Sequence, residues 1–167
     1  YATFDNHAYG DMRTYVAKTA DQGKTWTFLG NSTALQGYAH VVIEDSENPD
    51  MLFLGTEFGL YVSNDGGQNW VLYKAKVPEY VAVRDLVLHS KTNDLVLATH
   101  GRGVLIIDDI SPLRRLSPEL LQKDAVLLPA RPTAVTGGHY GQAFPNTGSY
   151  AGPNATENAV IQYYLKD

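Results

Sequence analysis

Hydrophobic residues in this chain fall in short runs separated by clusters of turn formers. HVVIED (His40 to Asp45), MLFLGT (Met51 to Thr56), LYVSN (Leu60 to Asn64) and WVLYKA (Trp70 to Ala75) are rich in Val, Leu, Ile, Phe and Tyr, and ENPD, EFG and DGGQN lie between them. β-Branched and aromatic side chains suit a pleated surface, and Asn, Asp, Gly and Pro supply turns, so the pattern predicts four short strands rather than helices. The same reading gives three strands before this group, Tyr1–Asp5, Thr14–Thr19 and Trp26–Leu29. It gives three after it, Arg84–Ser90, Leu95–Thr99 and Gly103–Ile110. Only SPELLQKD (Ser117 to Asp124) reads as helical, with Ser117 as N-cap, Pro118 at the first helical position and Glu119 in the first turn. From Asp124 the chain is dense in Gly, Pro, Ser and Thr without periodicity, which predicts an extended connector. The closing stretch AVIQYYLKD (Ala159 to Asp167) alternates as one strand, with nothing following to pair with it.

The runs also repeat. TADQGKTW (Thr19 to Trp26) and SNDGGQNW (Ser63 to Trp70) share the pattern Ser/Thr-x-Asp-x-Gly-x-x-Trp at an offset of 44 residues. IEDSENPDMLFLGT, ending at Thr56, aligns with LVLHSKTNDLVLATH, in which Thr99 lies 43 residues further on. Short strands repeating at about 40 to 50 residues are the signature of propeller blades. The expected fold is all-β: a partial β-propeller of about two and a half four-stranded blades, one spanning about Tyr38 to Ala75, with an extended C-terminal linker. The expected division is propeller blades over 1–113, a short helix and Gly/Pro-rich linker over 114–152, and the first strand of a further domain over 153–167.

Composition narrows the function classes. The chain has 167 residues, 44% of them hydrophobic, enough for one domain with a core. A formal charge of −5 gives no electrostatic footprint for nucleic acid or an anionic membrane. The absence of cysteine excludes a disulfide framework, a thiolate metal site and a cysteine nucleophile. No apolar run approaches the roughly 20 residues of a membrane span. The opening residues YATFDNH carry neither a basic start nor an apolar segment and read as the middle of a strand, so a chain excised from something longer is expected.

The two repeated octapeptides resemble the Asp-box, or bacterial neuraminidase repeat, of β-propellers in the sialidase, xyloglucanase and sortilin group. VRDLVLHSKTNDLVLATHGRGVLIIDDISPL (Val83 to Leu113) resembles the last blade of large bacterial propeller proteins termed sortilin-like or glycosyl-hydrolase-like. In those, a linker and a small immunoglobulin-like domain follow, the latter opening with a strand similar to AVIQYYLKD. The resemblance implies a secreted, periplasmic or cell-envelope protein. A "hydrolase" label in that family follows the repeat rather than a site, so function has to be argued from side chains.

In the repeated loop, Asp65 is expected to accept backbone N–H bonds while Gly66 and Gly67 take positive-φ positions, and Trp70 is expected to tuck between adjacent sheets, burying on the order of 200 Å². The same account is extended to Asp21, Gly23 and Trp26. A catalytic reading would need a second carboxylate or nucleophile at a fixed offset, and none accompanies both copies. Candidate ligand-binding residues gather instead on the opposite side of the blades. The turns NHAYGDMR (Asn6 to Arg13), EFG (Glu57 to Gly59) and HGR (His100 to Arg102) meet there, joined near the innermost strands by His40, Arg84 and Asp85. The candidates are Arg13, His40, Glu57, Arg84, Asp85, His100 and Arg102.

Each has a plainer reading. Arg102 is expected to pair with Asp85 or a neighbouring carboxylate across the tight turn that Gly101 and Gly103 permit. His40, His89 and His100 lack the close spacing of a zinc motif. Asp108 and Asp109, adjacent on a strand, are expected to point to opposite faces and not to share a calcium ion. No metal and no cofactor is expected. Asn31-Ser32-Thr33 and Asn154-Ala155-Thr156 fit the N-glycosylation pattern.

Two functions follow. One is a non-catalytic platform for a protein, peptide or glycan ligand. The other is a glycoside hydrolase: a sialidase would use an arginine cluster, drawn here from Arg13, Arg84 and Arg102, and a paired-carboxylate enzyme would use two of Asp11, Glu57 and Asp85, about 6.5–9.5 Å apart for inversion. Incomplete blades leave two open sheet faces, which the remaining blades or other chains are expected to cover.

Overall fold

A computed structural model describes residues 1–117, 119–130, 132 and 159–166. Four antiparallel sheets succeed one another along the chain, none of them closed. The first comprises β1 (Ala2–Asn6), β2 (Asp11–Lys18) and β3 (Thr27–Phe28) in that order. The second runs β4 (Ala39–Glu44), β5 (Leu52–Thr56), β6 (Gly59–Ser63) and β7 (Val71–Leu72). The third holds β8 (Val83–His89), β9 (Asp94–Thr99) and β10 (Val104–Ile107), and the fourth β11 (Ala125–Leu128) and β12 (Gln162–Leu165). The strands expected over residues 1–110 all form, within a few residues of their expected limits.

Two packed layers of side chains join the first three sheets. Val16, Leu52, Leu54, Tyr61 and Trp70 fill the space between the first and second. Met51, Phe53, Leu60, Val83, Leu86, Leu95 and Leu97 fill that between the second and third. β5 is buried throughout because alternate residues serve different layers, Leu52 and Leu54 one and Phe53 the other. That explains its unbroken apolar sequence. Gly55 sets how closely the third sheet approaches: a Cβ there would lie 2.6 Å from the Val83 carbonyl oxygen and 2.8 Å from Val41 Cγ1.

A buried ion pair anchors the segment after β10. Arg114 donates from Nε and Nη2 to Asp45 at 2.8 Å each, and from Nη1 to Asn93 Oδ1 at 2.9 Å. Asp45 also accepts the backbone N–H groups of Glu47 and Asn48. Burial alone would push its carboxyl up; the donors, Arg114 foremost, more than offset this and hold it below the usual range.

The C-terminal third departs from expectation. Only single 3₁₀ turns form, at Leu113–Arg115 and Leu120–Gln122, in place of a helix over Ser117–Asp124. Ser117 does accept the Leu120 N–H at 3.2 Å, but the backbone is already extended at Lys123 to lead into β11. β11 lies inside the expected connector, and the closing strand has a partner in it: Ala125↔Leu165 through Leu128↔Gln162. Asn154 and its sequon, Pro118, and most of the connector lie outside the described residues. Among the described residues no helix is long and apolar enough to cross a membrane.

Candidate functional site

The repeated loops come first, because they carry the strongest sequence signal. In SNDGGQNW the Ser63 hydroxyl donates to Asp65 at 2.7 Å and accepts the Gly67 N–H at 2.9 Å. Asp65 also accepts the Asn69 backbone N–H at 2.9 Å and its side-chain amide at 2.7 Å. In TADQGKTW, Thr19 donates to Asp21 and accepts from Gly23, both at 2.8 Å, while Asp21 accepts the Thr25 N–H at 2.8 Å and its hydroxyl at 2.6 Å. All the carboxylate oxygens are thus spent on holding the turn. The residue before each Trp, Thr25 or Asn69, serves the same purpose in both loops: a side-chain donor to the Asp. Sequence reasoning missed it because the identities differ.

The tryptophans part company. Trp70 is 2% exposed and donates its indole N–H to the Leu29 carbonyl of the preceding sheet at 3.0 Å. Trp26 is 49% exposed and donates to Gly23 of its own loop at 3.1 Å. The expectation that Trp26 also tucks between sheets is therefore corrected: among the described residues no sheet lies against it.

At the other end of the strands, β4 and β8 carry matching irregularities. The β4–β5 register slips between Ala39 and Val41, and the β8–β9 register between Val83 and Asp85. The residues left in the bulges are His40 and Arg84, again 44 apart. A bulge re-aims the extra side chain, and both turn toward Glu57 in the β5–β6 turn. His40 Nε2 lies 2.9 Å and Arg84 Nη2 3.4 Å from Glu57 Oε2, and Arg84 Nη1 lies 3.5 Å from His40 Nδ1. A guanidinium only donates, so in the neutral imidazole this assigns Nδ1 as acceptor and Nε2–H as donor to Glu57. Burial pushes the Glu57 carboxyl up, but His40, Tyr38 and Arg84 together bring it below its ordinary value. Tyr38 stands edge-on to His40 at 4.9 Å, and His7 stacks on Tyr38 at 4.4 Å while pairing with Asp5. Asp5 itself occupies the register slip of β1.

Exposed aromatics neighbour these residues along the chain: Tyr9 ends the turn that carries His7, and Tyr80, 77% exposed, meets Phe58, the residue after Glu57, edge-on at 6.4 Å. Tyr80 has φ 57°, a left-handed conformation that costs a bulky side chain energy and concentrates at functional positions. Sequence reasoning passed over it; VPEYVAV carries no turn glycine that would have flagged the strain.

The other expected site residues do not join. Arg13 donates from Nε and Nη2 to Asp11 at 2.9 and 2.7 Å and stacks over Tyr15, beside a groove of about 770 Å³ bounded by Phe28, Asn31 and Gly37. Asp85, one residue past the bulge, accepts the Leu86 N–H at 2.9 Å. Arg102 is paired with neither Asp85 nor another carboxylate among the described residues. His100 is exposed, held by its backbone N–H to Ala82. Asp108 and Asp109 lie just beyond β10: Asp108 is near Lys76 at 3.7 Å, Asp109 is buried and accepts from Ser111. No group of three or more metal-ligating side chains occurs among the described residues. Asn31 stands exposed in the loop before β4.

No family model, no curated protein and no solved structure matches this chain.

Proposed function

We propose that the chain is a blade-bearing part of a secreted or cell-envelope β-propeller of the Asp-box type, and that it serves as a non-catalytic platform for a protein, peptide or glycan ligand. The observation that carries the platform reading is the paired bulge. Two successive sheets each expend a register slip to aim one polar side chain, His40 and Arg84, at the same carboxylate. A guanidinium, 44% exposed on its side chain, thereby stands against Glu57, whose chain neighbour Phe58 is itself 37% exposed.

The hydrolase reading draws less support. A paired-carboxylate mechanism needs one free carboxylate and one proton donor facing each other. Here Glu57 is bound to His40 and Arg84, and Asp11 to Arg13 and Tyr15, with Asp11 held well below the usual carboxylate range by Arg13. The propeller reading rests on the repeat of 44 residues and the succession of small antiparallel sheets.

The test is a peptide and glycan array probed with the protein and with Arg84→Ala. Retention of one ligand class, weakened about tenfold or more by Arg84→Ala and unaffected by Trp26→Ala, supports the platform. Glycoside turnover abolished by Glu57→Gln would replace it with the hydrolase.

A further inference from the structure

The edge of β10 lies away from the His40–Glu57–Arg84 cluster, and its backbone is built to receive another strand. Thr99 donates its N–H to the Gly103 carbonyl at 3.0 Å, and the register continues as Val104↔Ala98 through Ile107↔Leu95. In an antiparallel ladder hydrogen-bonded pairs alternate, so Gly103, Leu105 and Ile107 bond to β9, while the N–H and C=O groups of Val104 and Ile106 point to the opposite edge. No strand pairs there among the described residues. Val104 and Ile106 are 65% and 53% exposed, without the lysine, proline or bulge that usually blunts an edge.

The second sheet shows what fits. Shifted by the repeat of 44, Val104 and Ile106 correspond to Leu60 and Val62 of β6. Those residues pair with β7: Tyr73 donates its N–H to the Leu60 carbonyl at 2.8 Å, and Val62 pairs with Val71. The molecule thus contains a filled copy of the slot that β10 leaves open. Charge extends the match. In the β7 register, the positions facing Asp108 and Arg102 correspond to Asn69 and Ala75. Asp108 is exposed and only loosely engaged, with Lys76 3.7 Å away at the surface, so a basic peptide residue would share it or displace Lys76; Arg102 has no ionic partner among the described residues.

We propose that β10 binds an extended peptide strand antiparallel to itself, in the place that β7 takes on β6. Its residues facing Ile106 and Val104 are apolar, with a basic residue toward Asp108 and an acidic one toward Arg102. Main-chain bonds supply the affinity and the alternate side chains the selectivity.

The probe is the heptapeptide KWVLYKE, which is residues 69–75 with Asn69→Lys and Ala75→Glu. Its control carries N-methyl groups on the valine and tyrosine, whose amides would donate to β10. Expected results are binding of the first, no binding of the second, and hydrogen exchange of the Val104 and Ile106 amides slowed roughly tenfold or more on binding. Val104→Pro removes only an outward amide and should keep the fold while losing the peptide. If that variant fails to fold, Ile106→Lys serves in its place. Equal binding of both peptides, or protection at residues other than Val104 and Ile106, overturns the proposal. So does protection that rises with protein concentration in the absence of peptide, since a second copy then fills the edge.

Discussion

Thr19–Trp26 and Ser63–Trp70 are the same loop in two settings. Each spends a hydroxyl, a carboxylate and a donor two residues past its glycine on one turn, and each puts two successive residues at positive φ: Gln22 and Gly23 at 60° and 88°, Gly66 and Gly67 at 70° and 89°. The second copy lies against the first sheet, and there alone the tryptophan and the glycine become packing elements. A Cβ on Gly67 would stand 2.8 Å from Leu29 Cδ1, whereas one on Gly23 meets nothing nearer than Trp26 Cζ2 at 3.8 Å. The turn is therefore written by local hydrogen bonding, and the clasp is added by the neighbour. Every carboxylate oxygen of such a loop already accepts a bond inside the turn, and the candidate site lies instead at the His40–Glu57–Arg84 end.

The comparison breaks most visibly at the tryptophans. Trp70→Ala should cost roughly 3–5 kcal/mol in chemical denaturation, since it opens a cavity and orphans the Leu29 carbonyl; Trp26→Ala should cost about 1 kcal/mol or less. At the glycines the difference is smaller. Gly23→Ala pays the left-handed backbone alone, about 1–2 kcal/mol, and Gly67→Ala should exceed it by about 1 kcal/mol because Leu29 has to move.

Acid gives the smallest and most selective effect. Thr25 and then Thr19 hold Asp21 at about 2; Asp65 is pushed up by burial but brought below its ordinary value by Asn69 and Ser63. Both folded values lie under the unfolded value of about 3.9. The loops' contribution is thus complete above that value and is lost as pH falls from about 4 toward 2. In denaturation at pH 5 and at pH 2.5, the stability gap between the native protein and Asp21→Asn should narrow at the lower pH.

Much of this was legible in the sequence, and for a physical reason. Strands, turns and the loop repeat depend on neighbours a few residues away. His40, Glu57 and Arg84 were legible as candidates from their places at strand ends. Their convergence was not, because a bulge is a property of two strands together and shows only in the pairing of Ala39 with Thr56 and Val83 with Thr99. Distance along the chain hid the Asp45–Arg114 pair and the β11–β12 ribbon, which meet across 69 and about 37 residues. Trp26 misled for the converse reason: its local pattern matches Trp70, and burial is not local.

The chain has two tryptophans, so single-tryptophan variants report each loop directly. Iodide quenching of Trp26→Phe, which leaves Trp70, and of Trp70→Phe, which leaves Trp26, tests the claim that one loop clasps a neighbouring sheet and the other stands alone. A blue-shifted, poorly quenched Trp70 beside a red-shifted, readily quenched Trp26 is the expected result. Equal emission maxima and equal quenching would contradict it.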